Sequence, residues 1–234
     1  MTAIVSVACV LLAVSCAILW RRQRYLRREA YIRDFVFPKG LFEKLLHHHP
    51  QLTQKECQLV AQGLRQFFLA HLKSGRMYVS MPSQVVDDLW HELILYTKNY
   101  QAFCQHAFGR FLHHTPAVVL SKSQRSDAGI RRCWRYACME ENINPRQPVR
   151  LPLLFALDSK LSIANGFVYV ANCAGVSRQG QADAGTAYCG AELGSSGSDG
   201  GSDSSDGGSD GDGGGDSGGG GDGCGGGGCG GGGD

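Results

Sequence analysis

The sequence predicts a mainly α protein: an N-terminal transmembrane helix, a compact helical domain with at most one or two short strands, and a disordered glycine-rich tail. Three observations carry this. Residues 3–20 are apolar and uncharged throughout. Apolar residues recur at steps of three and four through residues 53–75, 83–116 and 124–142, the spacing of a helix with one buried face. From about Gly194 onward the chain is almost all Gly, Ser and Asp, with only Cys224 and Cys229 apolar, too little to offset its ordering entropy. The implied boundaries are 3–20 for the transmembrane helix, 21–50 for a basic juxtamembrane segment, 51–193 for the helical domain and 194–234 for the tail.

The first segment, AIVSVACVLLAVSCAILW, covers about 27 Å as a helix, enough for a hydrocarbon core. Only Met1 and Thr2 precede it, whereas Arg21, Arg22, Arg24, Arg27 and Arg28 follow. A cleaved signal peptide would carry its charge before the apolar run. The positive-inside rule therefore predicts a single-pass membrane protein, with the N-terminus outside and the domain cytoplasmic. In that reducing compartment disulfides are not expected, so Cys57, Cys104, Cys133, Cys138, Cys173 and Cys189 are read as free thiols.

Charge is unevenly placed. Eight of the 21 acidic groups lie in the tail beside no Lys or Arg, leaving 13 acidic against 23 basic groups in residues 1–193, about +10. Much of that positive charge adjoins the apolar segment, which points to membrane lipid contacted through residues 3–28. Nucleic acid is disfavoured as a partner because no recognition module follows.

Within the body, Arg21–Phe37 continues as a helix until Pro38-Lys39-Gly40 breaks it, and Leu41–His49 forms a short one. His47, His48 and His49 read as a polar helix end rather than a metal site, because adjacent residues point apart on a helix. Thr53 and Glu56 have capping-box spacing, and Cys57, Val60, Ala61, Leu64, Phe67, Phe68, His71 and Leu72 then mark an inward face. Residues 124–142 place Ile130, Cys133, Trp134, Ala137 and Cys138 inward. Leu151–Leu161 suggests a further short helix and Gly166–Val170 a strand.

The stretch from Met81 to Pro116 is the most informative. It reads as one long amphipathic helix with Val86, Trp90, Ile94, Thr97, Gln101, Cys104, Phe108 and Phe111 on its buried face. Asp87 and His91, four apart, stack on its flank. Asp87, His91, Cys104, His113 and His114 are the candidate metal ligands, zinc or iron being the chemistry of such donors. One straight helix cannot converge all five, since His113 lies turns beyond Asp87, so another element must contribute. Walker, dinucleotide-binding, nucleophile-elbow and HExxH signatures are missing, and no CxxC pair marks a zinc ribbon.

Val86-Asp87-Asp88-Leu89-Trp90-His91, Tyr100-x-x-Phe103-Cys104, Phe108-Gly109-Arg110-Phe111, His113-His114-x-Pro116, Cys133-Trp134-Arg135 and Arg150–Phe155, together with the Gly-rich tail, resemble the bacterial glycine-rich-domain-containing proteins. More distantly the chain is similar to plant glycine-rich domain proteins, where a Trp-His-x-His element precedes a Tyr and a Cys. Leu93 stands at the second His position here, so the resemblance implies a depleted ligand set and no particular activity.

The function expected from these features is a membrane-anchored, cytoplasmic-facing interaction or scaffold module with a protein partner of unspecified kind. The alternative is a metal-binding, hydrolytic class of protein that uses the Asp/His/Cys cluster.

Overall fold

A computed structural model describes residues 2–114, 125–173 and 188–195. The expectation of a disordered tail falls, beyond Ser195, outside the described residues, as do Cys224, Cys229 and Pro116. Among the described residues the chain is mainly helical, with two short strands, as the periodicity indicates.

The apolar segment and the basic segment after it form one helix, α1 (Thr2–Arg33), long and apolar enough to cross a membrane. Its last turns dock into the domain. Ile32 is fully buried, Tyr31 packs on Phe103 and His106, and just beyond the helix Phe35 meets Phe103 at 4.5 Å between ring centroids. Beside these rings, Lys73 lies 2.6 Å from Glu140 and 3.4 Å from Glu29, while Arg33 binds both carboxylates. Four interlocked, mostly covered charges hold a geometry that an isolated surface pair would not. The end of the membrane-length helix is thereby fixed to the body.

Gly40, at φ 83°, opens α2 (Leu41–His48), and Leu41 and Leu45 are fully buried. The central element is α3 (Gln54–Lys73). The Thr53 hydroxyl accepts from the Glu56 N–H, and the Glu56 carboxylate accepts from the Thr53 N–H at 2.7 Å, completing the expected capping box. Helices α1, α2, α4, α6 and α7 all pack on α3. Gly63 permits the closest approach: a Cβ there would stand 2.5 Å from Leu157 and 3.1 Å from Val86.

The expected single helix from Met81 to Pro116 is two helices, α4 (Gln84–Leu95) and α5 (Thr97–Ala107), followed by an extended segment to His114. The break is at Tyr96, whose N–H bonds back to Leu93 O. A straight helix would continue the buried face through Thr97 and Gln101, and both are exposed. Re-phasing buries Tyr100 and Phe103 instead, while Cys104 and Phe108 are inside as expected. Each large side chain buried is worth about 1.5–3 kcal/mol, against about 1 kcal/mol for a hydrogen bond, so the break wins. Phe111, expected inside, is 41% exposed.

Helix α6 (Arg125–Glu140) buries Cys133, Trp134, Ala137 and Cys138 as its spacing requires, and α7 (Leu153–Lys160) packs on α3 and α4. Strand β1 (Tyr169–Val170) pairs in parallel with β2 (Tyr188–Cys189), which leads into α8 (Gly190–Ser195). That pairing corrects the expectation of free thiols: Cys173 and Cys189, with Cα atoms 6.0 Å apart, form a disulfide. Sequence spacing gave no sign of it, because the register of Val170 on Cys189 is what brings the two together. Cys57, Cys104, Cys133 and Cys138 are free and buried, as expected.

Candidate metal centre

Helix α4 is held at both ends before it presents any chemistry. Ser83 caps it, its hydroxyl accepting from the Val86 N–H. Asp158 of α7, only 3% exposed, accepts from Ser83 Oγ at 2.7 Å, Gln84 N at 2.7 Å, Val85 N at 3.2 Å and Phe167 N at 2.9 Å. A carboxylate on a helix N-terminus also complements the macrodipole. On one flank of α4, Asp88 meets His49 Nε2 at 2.7 Å and Glu92 meets His48 Nε2 at 2.9 Å, tying the helix to α2.

The other flank carries Asp87 and His91, and here the chain returns. Gly109, at φ +75°, ends α5 by donating to the Cys104 and Gln105 carbonyls. The chain around this turn is pinned in three places. Arg76 donates to Phe108 O at 3.1 Å, Arg110 donates to Arg76 O, and the Tyr100 hydroxyl donates to Leu112 O at 2.6 Å. Trp90 Nε1 donates in turn to the Tyr100 oxygen at 3.1 Å. This relay delivers His114 onto the Trp90 ring, with centroids 4.6 Å apart.

His114 Nε2 then lies 2.9 Å from Asp87 Oδ1, while His91 Nδ1 lies 3.6 Å from Asp87 Oδ2. The two imidazoles are 4.2 Å apart between centroids, and one ligand atom from each of the three residues falls within 4.8 Å of the others. Tetrahedral ligands at metal distances of 2.0–2.1 Å are separated by about 3.3 Å, so small side-chain adjustments would seat a single ion. The His114 and Asp87 side chains are 14% and 23% exposed and that of His91 is 51% exposed, which leaves one side of the triad open to solvent.

Of the five residues singled out in the sequence, the structure thus brings together Asp87, His91 and His114. His113 points elsewhere, its ring against Phe111 at 4.8 Å. Cys104 is fully buried near Tyr100, and burial pushes its thiol up, away from the thiolate a metal would need. Burial likewise raises Cys133 and pushes Cys138 up to about 12. Asp158, Tyr100 and Arg76 position the site and were not among the sequence candidates. Gly109 was the available signal for the chain reversal, being a natural helix stop.

The model of the UCP032817-like family matches residues 27–193, so the chain belongs to that family. This corrects the expected glycine-rich-domain family: the match stops at Leu193, before the Gly-rich tail that carried part of that resemblance. No curated protein and no solved structure matches the chain.

Proposed function

We propose that this member of the UCP032817-like family is a membrane-tethered helical module that holds one divalent transition-metal ion at Asp87, His91 and His114. The supporting observation is the convergence of three ligand atoms from segments separated in sequence, on a helix anchored at its N-terminus by Asp158. Two imidazoles and one carboxylate suit zinc or iron(II), and three protein ligands leave coordination positions for water or a substrate oxygen. Such an open site has the form used in metal-assisted hydrolysis rather than a closed structural site. Helix α1 supplies the tether, with lipid contacted through residues 3–28, an inner-membrane location and a cytoplasmic body.

The bland alternative is that His114 merely covers Trp90 and is held by Asp87. Elemental analysis of purified full-length protein after zinc loading and dialysis separates the two. One equivalent of zinc, lost in His91→Ala and His114→Ala while helicity is kept, supports the metal centre. A metal-free protein sinks it.

The docking of α1 onto the body also favours an interaction or scaffold role, since a rigid stem sets the body at a defined height above the bilayer. Site-specific crosslinking in cells tests this reading: capture of no defined partner from the body surface would remove it.

A further inference from the structure

We infer that the junction of α1 and α5 is a phosphate-binding site, built to take the headgroup of an anionic lipid or a free phosphate group. Arg24, Arg27, Arg28 and Tyr31 fall at steps of three and four, so they share one face of α1. With Gln105 and His106 of α5 they line an open surface depression of about 330 Å³. Three arginines therefore border one space, and among the described residues its lining contains no carboxylate. The nearby acid of α1, Glu29, is engaged by Arg33 and Lys73 instead.

The neighbours of these arginines arrange the site. Gly109 leaves room for Arg28: a Cβ there would stand 2.2 Å from Arg28 Nη2. His106 stacks on Tyr31 at 5.2 Å and its Nδ1 bonds the Ala102 carbonyl at 2.7 Å, which fixes the ring and leaves Nε2 uncommitted to that bond. Arg24 lies over the Trp20 ring at 5.3 Å. Trp20 ends the apolar run, and tryptophan marks the membrane–water boundary. At about 1.5 Å per residue, Arg24 stands about 6 Å and Arg28 about 12 Å beyond it along the helix, through and just past the headgroup layer. Arginine forks bind phosphate oxygens bidentately, and converging arginines repel one another until an anion enters. The inference rests on the membrane reading only for the source of the phosphate; it is independent of the metal centre.

The test uses full-length protein in a neutral detergent, offered phosphatidylglycerol, phosphatidylcholine or inorganic phosphate, with bound lipid counted by native mass spectrometry and bound phosphate by phosphorus NMR. Two double variants remove equal charge: Arg24→Gln/Arg28→Gln within the depression, and Arg21→Gln/Arg22→Gln outside it. Circular dichroism confirms that both fold. Loss of the charge-assisted bonds should weaken binding about tenfold or more in the first variant, with little change in the second. Phosphatidylglycerol retained over phosphatidylcholine with that pattern identifies a lipid headgroup. Inorganic phosphate bound with the same pattern and no lipid preference identifies a soluble phosphate. Equal losses in the two variants, or no retention of either probe by the unaltered protein, would overturn the site.

Discussion

His114 Nε2 stands 2.9 Å from Asp87 Oδ1 although 27 residues separate them in sequence. Two changes of direction produce that closure, the break at Tyr96 and the reversal at Gly109, and both serve burial of the aromatic cluster around Phe68, Trp90 and Phe103. The candidate site is thus a by-product of how the core packs, made specific by a few hydrogen bonds. Its behaviour on mutation follows from those bonds.

Tyr100→Phe removes the hydroxyl that joins Trp90 Nε1 to Leu112 O and leaves a buried indole N–H without its partner. A loss of about 1–3 kcal/mol in urea unfolding of the detergent-solubilised protein is expected. Zinc affinity should fall as well, because Leu112 no longer fixes the segment that carries His114. Unchanged stability would mean that the relay does not hold the segment.

Asp158→Ala leaves Ser83 Oγ and the N–H groups of Gln84, Val85 and Phe167 without their common acceptor. Bonds to a charged acceptor contribute about 1.5–3 kcal/mol each, with overlap among neighbours, so a loss of about 3 kcal/mol or more is expected from melting curves. The conservative Asp158→Asn should recover part of it.

Gly109→Ala introduces a side chain at φ +75° and toward Arg28. Backbone strain of about 1 kcal/mol is expected, plus displacement of the Arg28 guanidinium. A melt indistinguishable from the parent would show that the turn adapts freely.

His71 gives the fold an acid limit. Burial, against a hydrogen bond to Met77 O, lowers its pKa from 6.5 to about 4. The unfolded chain therefore binds a proton that the folded chain refuses between those values. Stability from this group is complete above pH 6.5 and declines as pH falls toward 4, by up to about 3 kcal/mol. Glu140 acts lower still: burial raises its pKa, but bonds from Arg33 and Lys73 outweigh that and hold it below the usual carboxylate range, so its contribution is lost as pH falls through the lowered value. Unfolding midpoints measured from pH 7.5 to 4.5 should drop for the parent and less steeply for His71→Gln.

Much of this architecture was legible in the chain. Thr53 and Glu56 announced α3, the apolar run before Arg21 announced a membrane-length helix, and the spacing of Cys133, Trp134 and Ala137 gave the inward face of α6. Asp87 and His91 were adjacent on any helical reading. What stayed hidden depended on tertiary competition. The break at Tyr96 is decided by which aromatic residues find the core, and a periodicity running through Thr97 and Gln101 conceals it. Asp158 looks like a surface residue of a short helix until α7 lies against the start of α4. Cys173 and Cys189 meet only through the register of two two-residue strands.

That disulfide bears on topology. On the proposed cytoplasmic placement of the body, a reducing milieu would open such a bond. Thiol trapping in intact cells before lysis should then find Cys173 and Cys189 reduced, and a C-terminal reporter should be active in the cytoplasm. A fully oxidised pair in trapped cells, with an externally accessible reporter, would place the body on the other side.

The central claim is that Asp87, His91 and His114 share one metal ion, and X-ray absorption at the zinc edge of the loaded full-length protein tests it most directly. The expected spectrum shows nitrogen and oxygen neighbours at about 2.0–2.1 Å with the outer-shell signature of two imidazoles, reduced to one in His114→Ala. Sulfur neighbours at about 2.3 Å, or a spectrum unaltered in His114→Ala, would contradict it.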